Sequence, residues 1–128
     1  NPSNLFVAKF LGTPPINVFN GEVREGKLYI GEEAVLDVPE VDERKVYVGI
    51  RPEGFIYDEN GPLTLDVTRI EVMGRDKTVV STHAHSVNET IRTIIDSDVK
   101  LPDGATKLTF ALKPNKVHLF DAETEERI

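Results

Sequence analysis

Leu63, Leu65 and Val67 alternate with Thr64, Asp66 and Thr68. After Arg69 the alternation resumes, with Ile70, Val72 and Gly74 set between Glu71 and Met73. A period of two places apolar side chains on one face of an extended strand, whereas a helix face needs a period near 3.6. The change of phase at Thr68 and Arg69 predicts a bulge or bend, as a strand needs where it turns a barrel corner. Shorter copies of the pattern recur with turn residues every ~8–12 positions, the spacing of a small barrel or sandwich.

From Ile16 onward the chain reads as strand and turn. Ile16, Val18 and Val23 belong to a first strand that Asn20-Gly21 is expected to bulge. Arg24-Glu25-Gly26-Lys27 is a tight turn, with Leu28-Tyr29-Ile30 as its hairpin mate. Gly31-Glu32-Glu33 turns into a strand from Ala34 to Val38, and Pro39 to Arg44 is an acidic connection. Phe55-Ile56-Tyr57 is closed by Asp58-Glu59-Asn60-Gly61-Pro62, a strong turn signal. After Gly74-Arg75-Asp76, strands are expected from Lys77 to His83 and from Glu89 to Ile95. A loop over Asp96 to Thr106 has its corner at Pro102-Asp103-Gly104. Leu108, Phe110 and Leu112 mark the next strand, Pro114-Asn115 a turn and Val117 to Phe120 the last strand. The tail from Asp121 to Ile128 is mostly charged. That makes nine or ten short strands and no crossover helix, so a parallel sheet with helices on both faces is excluded.

Residues 1–15 read differently. Ser3 or Asn4 can cap a short helix, Phe6 and Phe10 lie four apart, and Gly12 stands where a C-terminal glycine belongs. Thr13-Pro14-Pro15 then ends regular structure and stiffens the junction. We expect an arm over 1–15, a helix or a docked segment, and one β domain over 16–128. The chain begins with Asn, so it is expected to be a piece of a longer protein.

One run stands out. Val46, Val48 and Ile50 share a strand face, and Gly49-Ile50-Arg51-Pro52-Glu53 follows directly. Pro52 has no N–H to give the ladder and biases Arg51 toward extended backbone. Arg51 and Glu53 are therefore fixed at a strand end on either side of a rigid ring, where a solvated ion pair is the plainest expectation.

Signals for chemistry are sparse. The formal net charge is −7, which argues against nucleic acid and anionic lipid as main partners. There is no cysteine, hence no disulfide or thiolate site, which fits a reducing compartment. No apolar run is long enough to span a bilayer, and no signal peptide is evident. His83 and His85 would share a strand face and could supply two metal ligands, but a third, His118 or a carboxylate, would have to come from elsewhere. For Glu53, Asp66, Glu71, Asp76, Glu89, Asp96 and Asp98 a catalytic role would need an apolar or like-charged setting that sequence does not reveal, and in an acidic protein most such residues face water. Ser81 and Ser86 lack a nucleophile-elbow sequence. Phosphate-binding glycine loops are missing from the sequence. Asn88-Glu89-Thr90 matches a glycosylation triplet, a frequent chance match. We expect no catalytic, cofactor or metal site in this chain.

Taken in order, Asn4-Leu5-Phe6-Val7-Ala8-Lys9-Phe10-Leu11-Gly12, Pro15-Ile16-Asn17, Gly49-Ile50-Arg51-Pro52-Glu53, Glu71-Val72-Met73-Gly74 and His118-Leu119-Phe120-Asp121 form a pattern. It resembles the C-terminal regulatory part of the ATPase subunits of sugar-importing ABC transporters, of the maltose and multiple-sugar type. Ile16 departs from a frequent methionine, a change between two space-filling apolar residues. The resemblance covers Asn4 to Ile128 and implies an all-β TOBE, oligonucleotide-binding-like barrel with an N-terminal helical arm. It implies that ATP and magnesium belong to a separate ATP-hydrolysing domain. Implied partners are a second copy of the subunit, the transporter's membrane subunits and, in some members, an inhibitory signalling protein. The implied location is the cytoplasmic face of the cell membrane, with no insertion into it. On this resemblance Phe6 and Phe10 begin the docked segment and Gly12 closes it. Arg51, Pro52 and Glu53 brace the barrel or meet the partner subunit. Glu71 and Gly74 form a second motif, with Gly74 ending a strand sharply. A rival expectation is an oxyanion-binding barrel, for which Lys77, Thr78, Ser81 and Thr82 are the only cluster.

Overall fold

The computed structural model describes residues 16–128. Phe6, Phe10 and Gly12, with the expected arm, lie outside the described residues. Ten strands run β1 Asn17–Arg24, β2 Lys27–Ile30, β3 Glu33–Asp37, β4 Arg44–Ile50, β5 Phe55–Tyr57, β6 Leu63–Met73, β7 Asp76–Thr82, β8 Ile91–Asp96, β9 Lys107–Leu112 and β10 Val117–Asp121. They form two five-stranded sheets whose strand pairs are antiparallel, in the orders β10-β4-β1-β2-β3 and β5-β9-β6-β7-β8. The edges of the second sheet, β5 and β8, come into contact, so it curls into a nearly closed barrel of oligonucleotide-binding type.

The alternation sorts residues as expected. Val46, Val48 and Ile50 are buried in the core with Phe19, Val23 and Leu119, while Lys45 on the opposite face is exposed. Leu63, Leu65, Leu108, Phe110, Val79 and Ile91 fill the barrel side of the same cluster. The expected irregularity in β6 is present, with a register shift against β7 between Val67 and Arg69. Beyond it the strand leaves the core, and Val72 and Met73 are 65% and 70% exposed.

Gly21 is not the bulge expected at Asn20-Gly21. Its register with β4 is continuous, Asn20 opposite Tyr47 and Gly21 opposite Val46. A Cβ there would lie 2.7 Å from Val48 Cγ2 and 2.9 Å from the Tyr29 carbonyl oxygen. The glycine is needed for close approach of strands, which in sequence looks the same as a bulge signal. The β1–β2 turn is tight, as the sequence indicated, with Glu25 and Gly26 both at positive φ. The charged tail does not run free. Asp121 N–H donates to Glu126 O at 2.9 Å and Ile128 N–H to Leu119 O at 3.0 Å, so the tail doubles back on the β10 edge.

The two sheets are stitched together at the start of β1 by side chains acting as substitute peptide groups. Asn17, 4% exposed, donates from Nδ2 to Ile50 O (3.2 Å) and Arg92 O (2.9 Å), and its Oδ1 accepts Arg92 N–H (3.0 Å). Asn88 Oδ1 accepts Val18 N–H (2.8 Å), and Asn88 Nδ2 donates to Ile16 O (3.1 Å). The nitrogen that a glycosylation triplet would offer is thus engaged inside the fold. Asn88 makes this join, and the strand expected from Glu89 starts only at Ile91.

Asn17→Ala removes three hydrogen bonds and leaves buried backbone groups unpaired, so urea unfolding should show a loss of about 2–4 kcal/mol. Gly21→Ala should cost about 1–3 kcal/mol, because both neighbours of the added methyl are packed.

Candidate functional site

The run from Arg51 to Glu53 lies where the chain leaves one sheet for the other. β4 ends at Ile50, Arg51 is extended (φ −68°, ψ 153°), and Pro52–Gly54 form a 3-10 turn that delivers Phe55 into β5. Proline suits the first position of such a turn, where its missing N–H is not needed. Gly54 N–H donates to Arg51 O at 2.8 Å. The return crossing runs alongside: β9 ends at Leu112, and Pro114–Lys116 form a second 3-10 turn leading into β10. Lys113 N–H donates to Gly54 O at 2.8 Å, joining the two crossings. A Cβ on Gly54 would meet Lys116 Cβ at 2.9 Å and Ile50 Cγ2 at 3.0 Å, so only glycine lets them close.

Arg51 and Pro52 are half-buried and Glu53 is exposed. Among the described residues no ion pair joins Arg51 to Glu53. Instead Arg51 shares a cationic spot with Lys116 and Arg127. Their charges act on His118, whose Nδ1 lies 2.8 Å from the Arg127 guanidinium. Pro52 faces a cavity of about 370 Å³ shared with Ile16, Asn17, Asn88 and Arg92. Arg92 in turn reaches Glu71 at 3.9 Å, and Glu71 accepts from Arg69 Nε at 2.8 Å. That hydrogen bond, more than the charges of Arg69 and Arg92, holds the Glu71 carboxyl below its usual range. The two motifs are thereby linked through Arg92. Gly74 stands apart, at positive φ in the β6–β7 turn, with nothing packed on it. β6 ends at Met73, directly before it, and a positive φ is a conformation glycine adopts at little cost.

The histidine pair is also placed. His83 Nδ1 accepts His85 N–H at 3.0 Å, and the His83 ring packs edge-on against Phe19. Nearby Glu33 is committed to β6, accepting from Thr64 N–H (3.1 Å) and Thr64 Oγ1–H (2.7 Å). Among the described residues no three His, Cys, Asp or Glu side chains are grouped to hold a metal ion. The Lys77, Thr78, Ser81 and Thr82 cluster does not converge. Ser81 is buried, Thr82 is exposed, and Lys77 Nζ donates to Val99 O at 2.6 Å. The cationic spot at His118 is what sequence reading missed. Its members are far apart in sequence, and only the pairing of β10 with β4 and the return of the tail unite them.

His83 and His118 are both held below the ordinary imidazole value. Burial is the main cause for each. His85 adds to it at His83 against the pull of Glu33 and Asp66, and Arg127, Arg51 and Lys116 add to it at His118. The unfolded chain therefore binds these protons more readily, with a value of about 6.5. Stability from this source is complete above that value and is lost as pH falls through it toward the folded-state values. Urea midpoints should drop between about pH 7.5 and 5.5, and a His83→Gln/His118→Gln variant should lose less over the same span.

Comparison with known proteins agrees with this architecture. Residues 12–55 match the family described as the MalK OB fold domain. An sn-glycerol-3-phosphate import ATP-binding protein UgpC of Jannaschia sp. (strain CCS1) is 34% identical over 100% of this chain and 36% of its own length. The oligosaccharides import ATP-binding protein MsmX of Bacillus subtilis (strain 168) is 34% identical over 99% of this chain and 38% of its own. The xylose/arabinose import ATP-binding protein XacJ of Haloferax volcanii is 31% identical over 96% and 36%. The chain spans little more than a third of the length of these curated relatives. What residues 12–55 resemble is the MalK OB fold domain and not an ATP-hydrolysing unit, and over nearly its whole length the chain is similar to parts of import ATP-binding proteins.

Proposed function

We propose that this domain is the regulatory and dimerisation part of the ATP-binding subunit of a carbohydrate importer. ATP and magnesium would be handled by a separate domain of the same subunit, at the cytoplasmic face of the membrane. Its partners would be a second copy of the subunit, the transporter's membrane subunits and, in some settings, a signalling regulator. Among the described residues no helix is long and apolar enough to cross a membrane.

The observation that carries this reading is the position of Arg51-Pro52-Glu53 on the paired crossings between the sheets. A contact made there presses on both sheets at once, which suits a brace between neighbouring subunits. The names of the relatives point the same way. They import glycerol phosphate, oligosaccharides or pentoses, yet each aligns with essentially the whole of this chain. A part shared across such cargoes is unsuited to choosing among them. Residues 1–15 would be the arm from the ATP-hydrolysing domain. They join at Ile16, which with Val18 is buried although both lie on the face of β1 opposite the core residue Phe19. Phe6 and Phe10 would start that arm, and Gly12 would end it.

The test is made in the full-length subunit, reconstituted with its membrane subunits. Arg51→Glu or Glu53→Arg should lower transport-coupled ATP hydrolysis severalfold while shifting the unfolding midpoint of the isolated domain only slightly. Unchanged coupled turnover in both variants would contradict a role in subunit contact. Lost turnover matched by lost domain stability would reduce the run to a brace within the barrel.

A further inference from the structure

Half of β1 has no named strand along one of its edges. β4 follows one edge from Asn17 to Val23, whereas β2 pairs on the other only with Glu22 to Arg24. The connection from β7 to β8 fills the gap. His85 O accepts Asn20 N–H and Val18 O accepts Val87 N–H, both at 2.8 Å, and Phe19 pairs with Ser86 as an isolated bridge. A loop leaving the barrel thus lies along the first sheet as a short extra strand. So short a ladder opens readily unless the loop is held in shape.

His83 holds it. Its Nδ1 accepts His85 N–H at 3.0 Å, its own carbonyl accepts Ser86 N–H at 3.1 Å, and its ring stands edge-on to the buried Phe19 with centroids 5.6 Å apart. Nδ1 can accept only while it carries no proton, so the bond requires a neutral ring with its hydrogen on Nε2. In the imidazolium both nitrogens are donors, and Nδ1–H would meet His85 N–H donor to donor.

The charged groups around the ring are Glu33 on β3, Asp66 on β6 and His85 in the loop, with Glu32 and the β9 residue Lys107 on the rim of the same hollow of about 310 Å³. The two nearest carboxylates are already engaged. Glu33 accepts from Thr64 N–H and Oγ1–H, and Asp66 pairs with Lys107 Nζ. Burial, and after it His85, outweigh the pull of Glu33 and Asp66 on the imidazole proton. We propose that His83 is a proton-operated latch on the 83–88 loop: neutral, it holds the loop along β1, and protonated at Nδ1 it lets the loop go. Release uncovers the Asn20 N–H and Val18 C=O on the edge of β1, where an added strand can pair. The Asn88 bonds to Ile16 and Val18 and the clamp between Lys113 and Gly54 keep the two sheets together meanwhile. The opening is local, unlike the loss of overall stability with falling pH, and it does not rest on the transporter reading.

Amide exchange of Asn20, His85 and Val87 in the whole chain, corrected for the intrinsic pH dependence of exchange, tests the latch between about pH 7.5 and 5. Protection at the three amides should fall by about tenfold per pH unit below the ordinary imidazole value of about 6.5, the slope of one proton. Dilute urea that lowers protection at Val48 and Phe110 should leave these three unchanged, as a local opening requires. His83→Asn keeps a side-chain acceptor and cannot titrate, so its protection should stay flat across the range. His85→Gln keeps the backbone donor and should retain the fall, begun at higher pH because His85 no longer opposes the charge on His83. The proposal is overturned if His83→Asn, with the parent amide spectrum, shows the same fall, if His85→Gln abolishes it, or if the three amides exchange only together with Val48 and Phe110. Should His83→Asn fail to fold, the parent chain decides: constant protection while NMR shows the His83 ring taking up its proton overturns the latch.

Discussion

The hydrogen bond from Lys113 N–H to Gly54 O ties together the two places where the chain passes between sheets. Each passage is a 3-10 turn opened by a proline, Pro52 in one and Pro114 in the other. Because Gly54 has no side chain, Lys116 and Ile50 can close around it. Without that closure β4 and β10 would still pair, but β5 and β9 would be free to pivot relative to them. The barrel and the outer sheet are then one body for a simple reason: both outward strands and both return strands are clamped at a single point.

A second join lies next to the first and holds β8 to the same end of β4. Asn17 and Asn88 exchange side-chain hydrogen bonds with the backbone of Ile16, Val18, Ile50 and Arg92, where regular strand pairing has run out. Carboxamides suit the place because each offers a donor and an acceptor, as a peptide group does. The ends of β1, β4 and β8 thus meet beside Pro52, and the cavity there is bounded by the same residues. Arg92 extends the connection to Glu71 on the exposed surface, where the ion pairs themselves add little stability.

The strands were legible in sequence because their signal is local. Alternation marked β4, β6 and β9, and the lost phase at Thr68 and Arg69 located the β6 irregularity. Gly49-Ile50-Arg51-Pro52-Glu53 was recognisable as a strand end, since proline acts on its immediate neighbours. What could not be read was long-range. Asn88 looked like a glycosylation triplet because nothing nearby announces a bond to Val18, seventy positions away. Gly21 looked like a bulge because a close approach to Val48 leaves the same mark in sequence as a break in pairing. The tail read only as mostly charged, and nothing in it announced that Asp121 accepts from the Glu123 and Thr124 N–H groups and so turns the chain back. The cations around His118 come from three segments, and no spacing rule would have grouped them.

If the clamped crossings make the two sheets one mechanical unit, they must also open as one. Native-state hydrogen exchange measures this directly through the slowest amides of Val48 and Leu119 in the first sheet and of Val79 and Phe110 in the barrel. The account predicts a single opening free energy shared by all four, falling together as denaturant is added. Two separate values, with one sheet opening while the other stays protected, would contradict it.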